Sequence, residues 1–201
     1  MKKKVIAGLL LSSCVLGVAM PAFAQEIDGT GTADIPVNGT LGANNTEPEA
    51  EIPEGEEGWI NVTVPTDVVF YNTTTVKAIK SPTYDIVNNS GRPVKVSLEK
   101  FENDDTNDGL ELPDDYSLDL IVEGREGGAI QNIATSDTSA DFDKLTHLVD
   151  LANVDGLQTA TGTPVDDGNI AHFRFGGTAD PTGVVQPKYT MTLKFDAVAW
   201  N

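Results

Sequence analysis

The feature that most restricts how this chain folds is a set of short runs in which every second residue is apolar. In "WINVTVP" Ile60, Val62 and Val64 face one way, while Asn61 and Thr63 face the other. "DVVFYN" is a second short run that ends in a polar turn. "SPTYDIVNNSGRPVKVSLEKF" reads as a hairpin: Tyr84 and Ile86, an Asn-Asn-Ser-Gly turn, then Val94, Val96 and Leu98 in alternation. The same period recurs in "DYSLDLIVEG", in "NIAHFRFGG" and in "KYTMTLKFDAVAW", where Tyr189, Met191, Leu193 and Phe195 share a face. A strand turns successive side chains to opposite faces, so each run has one face to bury. Seven to nine such strands, separated by Gly, Pro and Asn turns, predict an all-β fold, an antiparallel β-sandwich over residues 59–201.

One stretch breaks the period. In "SADFDKLTHLVDLANVDG" the apolar residues Phe142, Leu145, Leu148 or Val149, and Ala152 recur at helical spacing. Ser139 stands where an N-cap belongs and Gly156 follows the end, so one short helix is expected here.

Residues 1–24 read as a signal peptide: Lys2, Lys3 and Lys4, an apolar core, then Ala22-Phe23-Ala24 before Gln25. The core is shorter than the ~20 residues a membrane helix needs. Leu11-Ser12-Ser13-Cys14 also has the look of a lipobox, so lipidation of Cys14 is the alternative to simple secretion. Cleavage leaves 177 residues and removes three lysines, taking the formal charge from −18 to −21. Such acidity disfavours nucleic acid and anionic lipid as general partners. Cys14 is the sole cysteine, so the mature chain has no disulfide, zinc-thiolate cluster or cysteine nucleophile.

Residues 25–41 hold a candidate N-terminal strand around Ile35 and Val37. The next segment, 42–58, carries six glutamates and two prolines and reads as an exposed, extended linker. A lone strand has to pair with its own sheet or with a neighbour's. A polymerising subunit that lends this strand to another copy is therefore one expectation.

Signatures of catalysis are sparse. No Gly-x-Ser-x-Gly elbow and no phosphate-binding Gly loop is present, and His172 alternates with Arg174 on what reads as an exposed strand face. A non-enzymatic protein without an organic cofactor is expected. "ENDDTNDGLELPDD" sets Asp104, Asp108 and Asp115 at positions 1, 5 and 12 of a calcium-loop template, with Gly109 at position 6. Position 12 carries Asp rather than Glu, so the choice is between a weak structural calcium site and a solvated acidic turn. Five of the ten mature cations, Lys77, Lys80, Arg92, Lys95 and Lys100, fall within 24 residues. They suggest either a patch for an acidic wall polymer or lysines that protect sheet edges.

The order "VNGTLG", acidic spacer, "INVTVPTDVVFYN", "SPTYDIVNNSGRPVKVSLEKF" and "PKYTMTLKFDAV" resembles surface proteins of Gram-positive bacteria related to the WxL-domain group. In that group's pattern Tyr-x-x-x-Leu-Thr-Trp-x-Leu, Tyr189 and Leu193 match, while Lys194 and Phe195 stand where Thr and Trp belong. The two Trp-x-Leu signatures are absent, and Trp59 and Trp200 lie elsewhere. The resemblance implies a secreted protein held non-covalently at the cell wall, structural or adhesive in role. Its implied partners are a wall polymer or other surface proteins.

Overall fold

The computed structural model describes residues 44–200. The expected leader over 1–24 and the expected strand over 25–41 lie outside the described residues. The fold is all-β, built from two antiparallel sheets and ten strands: β1 (Val62–Thr63), β2 (Tyr71–Thr73), β3 (Val76–Lys80), β4 (Tyr84–Asn88), β5 (Val94–Asn103), β6 (Ser117–Gly124), β7 (Gly127–Thr135), β8 (Phe142–Leu151), β9 (Ile170–Thr178) and β10 (Tyr189–Ala197). Among the described residues the only helical pieces are 3-10 turns at Glu57–Trp59 and Asp105–Asn107, and no helix is long and apolar enough to cross a membrane.

The larger sheet is organised around β9. One side of β9 pairs with β6, which carries β7; the other side is shared by β4, flanked by β1, and β3, flanked by β2. At the change from β4 to β3, the Ser81 hydroxyl accepts the Phe175 N–H at 2.7 Å and replaces the missing ladder bond. The smaller sheet is β10-β5-β8. Ile86, Leu118, Leu120 and Phe173 of the first sheet meet Val96, Leu98, Leu148 and Leu151 of the second in one buried core. The alternating residues of β4, β5, β6 and β9 are thus the ones that face inward, whereas Val64, read on one face with Ile60 and Val62, is 41% exposed.

The stretch expected to be a helix is β8 instead. Its pairing with β5 slips twice, once near Val96 and once between Leu98 and Lys100, and each slip adds a residue to β8. Such bulges break the two-residue period. Leu145 is left 58% exposed, while adjacent Leu148 and Val149 are both buried. Three-residue apolar spacing therefore arose from a bulged strand. Ser139 caps no helix: its N–H and hydroxyl both bond the Asp137 carboxylate, at 3.0 and 2.6 Å.

Of the segment 42–58, expected as an exposed, extended linker, the described residues 44–58 are bonded to the body at several points. Asn45 accepts the Gly91 N–H through its carbonyl at 2.7 Å, and Glu54 pairs with Arg92. The Arg92 guanidinium lies between the only two tryptophans of the chain, 4.2 Å from the ring centroids of Trp59 and of Trp200. It also donates to the Pro48 carbonyl at 2.7 Å. The acidic segment and the end of the last strand are thereby locked onto one pole of the sandwich.

Candidate functional site

Among the described residues the opposite pole is open. A cleft of about 690 Å³ lies between the segment from Asp67 to Thr74 and the chain leading into β10. Phe101, Tyr116 and Phe175 line it from the core side, and Tyr71 lies 57% exposed at its wall. Phe70 bridges the two sheets, 5.9 Å from Phe175 and 6.4 Å from Tyr189, and Tyr189 stacks on Phe101 at 4.8 Å. The Tyr189 hydroxyl donates to that of Tyr116 at 3.1 Å. Burial raises both phenols above the ordinary tyrosine value.

The mouth of the cleft is braced by Asn107. Its amide donates to the Lys188 carbonyl at 2.6 Å and accepts the Lys188 N–H at 2.9 Å, so the start of β10 is fixed from the side. Val184, in the loop above, is 93% exposed. A largely apolar wall with a few fixed polar groups suits a ligand held by contact.

Beside the cleft, β10 is a sheet edge. Among the described residues its only strand partner is β5. The Asp104 N–H to Lys188 carbonyl bond (3.1 Å) and the Val198 N–H to Pro93 carbonyl bond (2.8 Å) fix the ladder's phase. Because an antiparallel strand directs alternate residues to opposite neighbours, even-numbered residues of β10 bond β5. The N–H and C=O groups of Met191, Leu193 and Phe195 therefore point to the open side. Their side chains are only half-buried, unlike those of Val96 and Leu98 on β5.

The five basic residues that are close in sequence are not gathered in space. Lys77 and Lys80 are on β3 in the larger sheet, and Lys95 and Lys100 are on β5 in the smaller one. Lys77 pairs with Asp180, which raises its pKa chiefly through that hydrogen bond. Lys100 has Glu102 at 3.9 Å. Arg92 is 7% exposed and engaged on both ring faces, so its charge is spent inside the fold.

The acidic residues of the loop template are engaged individually. Asp104 caps the turn at Asp105–Asn107, accepting the Thr106 N–H (2.9 Å) and hydroxyl (2.6 Å), and these bonds hold its carboxyl below the usual range. Asp108 closes the same turn through its backbone, and Asp115 accepts the Asp180 N–H at 2.9 Å. Among the described residues no three His, Cys, Asp or Glu are grouped to hold a metal. His172 is on an exposed face, paired with Asp85 across β4 at 2.7 Å, and His147 is on β8 with Asp150 at 3.4 Å.

The cleft escaped sequence reading because separate stretches supply its walls, several of them irregular. Arg92 was visible only as one cation in a cluster; its tryptophans come from the two ends of the body. In comparisons with known proteins, no family model, no curated protein and no solved structure matches this chain.

Proposed function

We propose that this chain is a secreted, non-enzymatic surface protein of a Gram-positive bacterium, a WxL-like relative with a structural or adhesive role, that acts by contact with wall polymer or other surface proteins. One observation carries the reading: an aromatic cleft lies beside the half-buried edge of β10, which among the described residues has no strand partner but β5. That combination suits the capture of an extended polymer or polypeptide. The leader pattern and the family resemblance support the cellular setting.

Co-sedimentation with purified peptidoglycan sacculi tests the reading. The mature protein is expected to pellet, with Lys77→Gln/Lys80→Gln and Lys95→Gln/Lys100→Gln made separately because the two pairs lie on different sheets. If the protein stays in the supernatant at every ionic strength, and whole-cell fractionation finds it only in the medium, the surface role fails. A second reading, a fibre subunit, is favoured by the same open edge, because an unpaired edge is a template for another strand.

A further inference from the structure

We infer that the open edge of β10 and the adjoining cleft accept residues Ala33–Leu41 of a second copy of this chain, inserted antiparallel to β10. This rests on the fibre-subunit reading and gives it a defined acceptor and donor.

The acceptor has three properties of an incomplete sandwich. The smaller sheet has three strands against seven in the larger one. Met191, Leu193 and Phe195 are half-buried on its outermost strand, and Val62, Val68 and Phe70 of the facing edge are likewise only partly covered. The backbone groups of those β10 residues point away from β5, as the ladder's phase requires. One more strand beside β10 satisfies these groups and closes the apolar gap with a single set of inward side chains.

The donor matches in period. "ADIPVNGTL" puts Ala33, Ile35, Val37, Gly39 and Leu41 on alternate positions, with Asp34, Pro36, Asn38 and Thr40 between them. Bound through the backbone of Ile35 and Val37, the strand turns Pro36 and its missing N–H to the outer side. Proline is tolerated on such an edge.

The geometry of attachment decides the source. Asn45 is bonded to Gly91 at the Arg92 pole, whereas the cleft lies beside Tyr189 at the other end of β10. Nine residues of strand separate those ends, about 30 Å. Leu41 is three residues from Asn44, a reach of about 10 Å. Every strand pair among the described residues is antiparallel, and an added strand that keeps this pattern beside β10 puts Leu41 at the cleft, out of reach of the same molecule. A second copy supplies it readily, when its Arg92 pole abuts the acceptor's cleft pole. Each copy then donates at one pole and accepts at the other, a head-to-tail contact that propagates into filaments rather than closing.

The test uses the mature protein (residues 25–201), the same protein with Ile35→Asp and Val37→Asp, and a body lacking residues 25–41. Light scattering across a concentration series is expected to show ladders for the first and monomers for the other two. Adding a synthetic peptide of residues 30–43 to the truncated body is expected to slow amide exchange at Met191, Leu193 and Phe195 at least tenfold, leaving Thr190 and Thr192 little changed. Circular dichroism of the Asp variant, unchanged from the parent, shows that assembly and not folding was lost. Peptide binding without protection of those three amides overturns the acceptor, and no binding overturns the whole inference. A mature protein that is monomeric at every concentration yet protected at those amides overturns the second-copy source in favour of self-insertion. Sacculus binding by the truncated body is scored separately, so wall association can survive when strand exchange fails.

Discussion

At Arg92 a single side chain holds together three parts of the chain that are far apart in sequence. Its guanidinium stacks on Trp59 and Trp200 and forks onto Glu54. Each ring contact contributes roughly 0.5–2 kcal/mol, and a hydrogen bond to a charged group about 1.5–3 kcal/mol, while the Glu54 carboxylate left behind is 40% exposed and regains water. Arg92→Ala is expected to destabilise by about 3 kcal/mol, and Arg92→Lys by about 1–2 kcal/mol because an ammonium lacks the planar fork. Urea unfolding followed by tryptophan fluorescence measures both, since both tryptophans of the chain report on this pole. An Arg92→Ala variant as stable as its parent would contradict the clamp. Gly177 is constrained differently. Its φ is +115°, and a Cβ there would sit 1.9 Å from the Ser117 carbonyl oxygen in the neighbouring strand. Gly177→Ala is expected to cost at least about 3 kcal/mol, read as a fall in melting temperature or a loss of soluble protein.

At the scale of elements, β8 separates two readings of one stretch. A helix over these residues would bury Leu145 on the same face as Leu148, whereas the bulged strand exposes Leu145 and buries Leu148 to 2%. Leu145→Thr is therefore expected to change stability by no more than about 0.5 kcal/mol, and Leu148→Ala to cost about 2–5 kcal/mol. Chemical denaturation of the two variants checks this; equal losses would favour the helix. The contrast also shows what was legible beforehand. Strands β4, β6 and β9 were read from their alternation because their mutual pairing keeps the two-residue period, and β10 and the Val94–Leu98 part of β5 because the extra residues at their slips fall on β8 and at Glu99. β8 was misread because bulges imitate a helical period. β7 was missed because only Ile133 and Ala134 of its nine residues are buried, leaving little hydrophobic signal. The basic cluster dissolved because β3 and β5, near in sequence, enter different sheets. The cleft needs Phe70, Tyr116, Phe175 and Tyr189 brought together from separate elements, which no local pattern encodes.

For the whole molecule, the perturbed groups set opposite limbs of a stability profile in pH. The Arg92 hydrogen bond holds Glu54 below its ordinary value, and hydrogen bonds from Thr106 and Ser139 do the same for Asp104 and Asp137. Below about pH 4, where free carboxylates take up protons, the unfolded chain binds more protons than the folded one. Stability then falls as pH drops through the depressed folded values. At the alkaline end the signs reverse. Asp180 raises Lys77, Asp196 raises Lys194, and burial raises the Tyr116 and Tyr189 phenols. These groups keep protons in the folded state that the unfolded state releases, so their contribution is intact below about pH 10 and is lost above it. Thermal melts by circular dichroism across pH are therefore expected to give a plateau with a fall at each end. Glu54→Gln removes one titrating group and should make the acid fall shallower. Tyr116→Phe deletes the more buried phenol of the cleft wall and should weaken the alkaline fall while lowering the plateau, because Tyr189 loses its hydroxyl partner. A Tyr116→Phe profile parallel to the parent's up to the highest pH would show that this phenol ionises as freely in the fold as in the unfolded chain. The cleft wall would then have to be wetter than the burial of Tyr116, which is 5% exposed, allows.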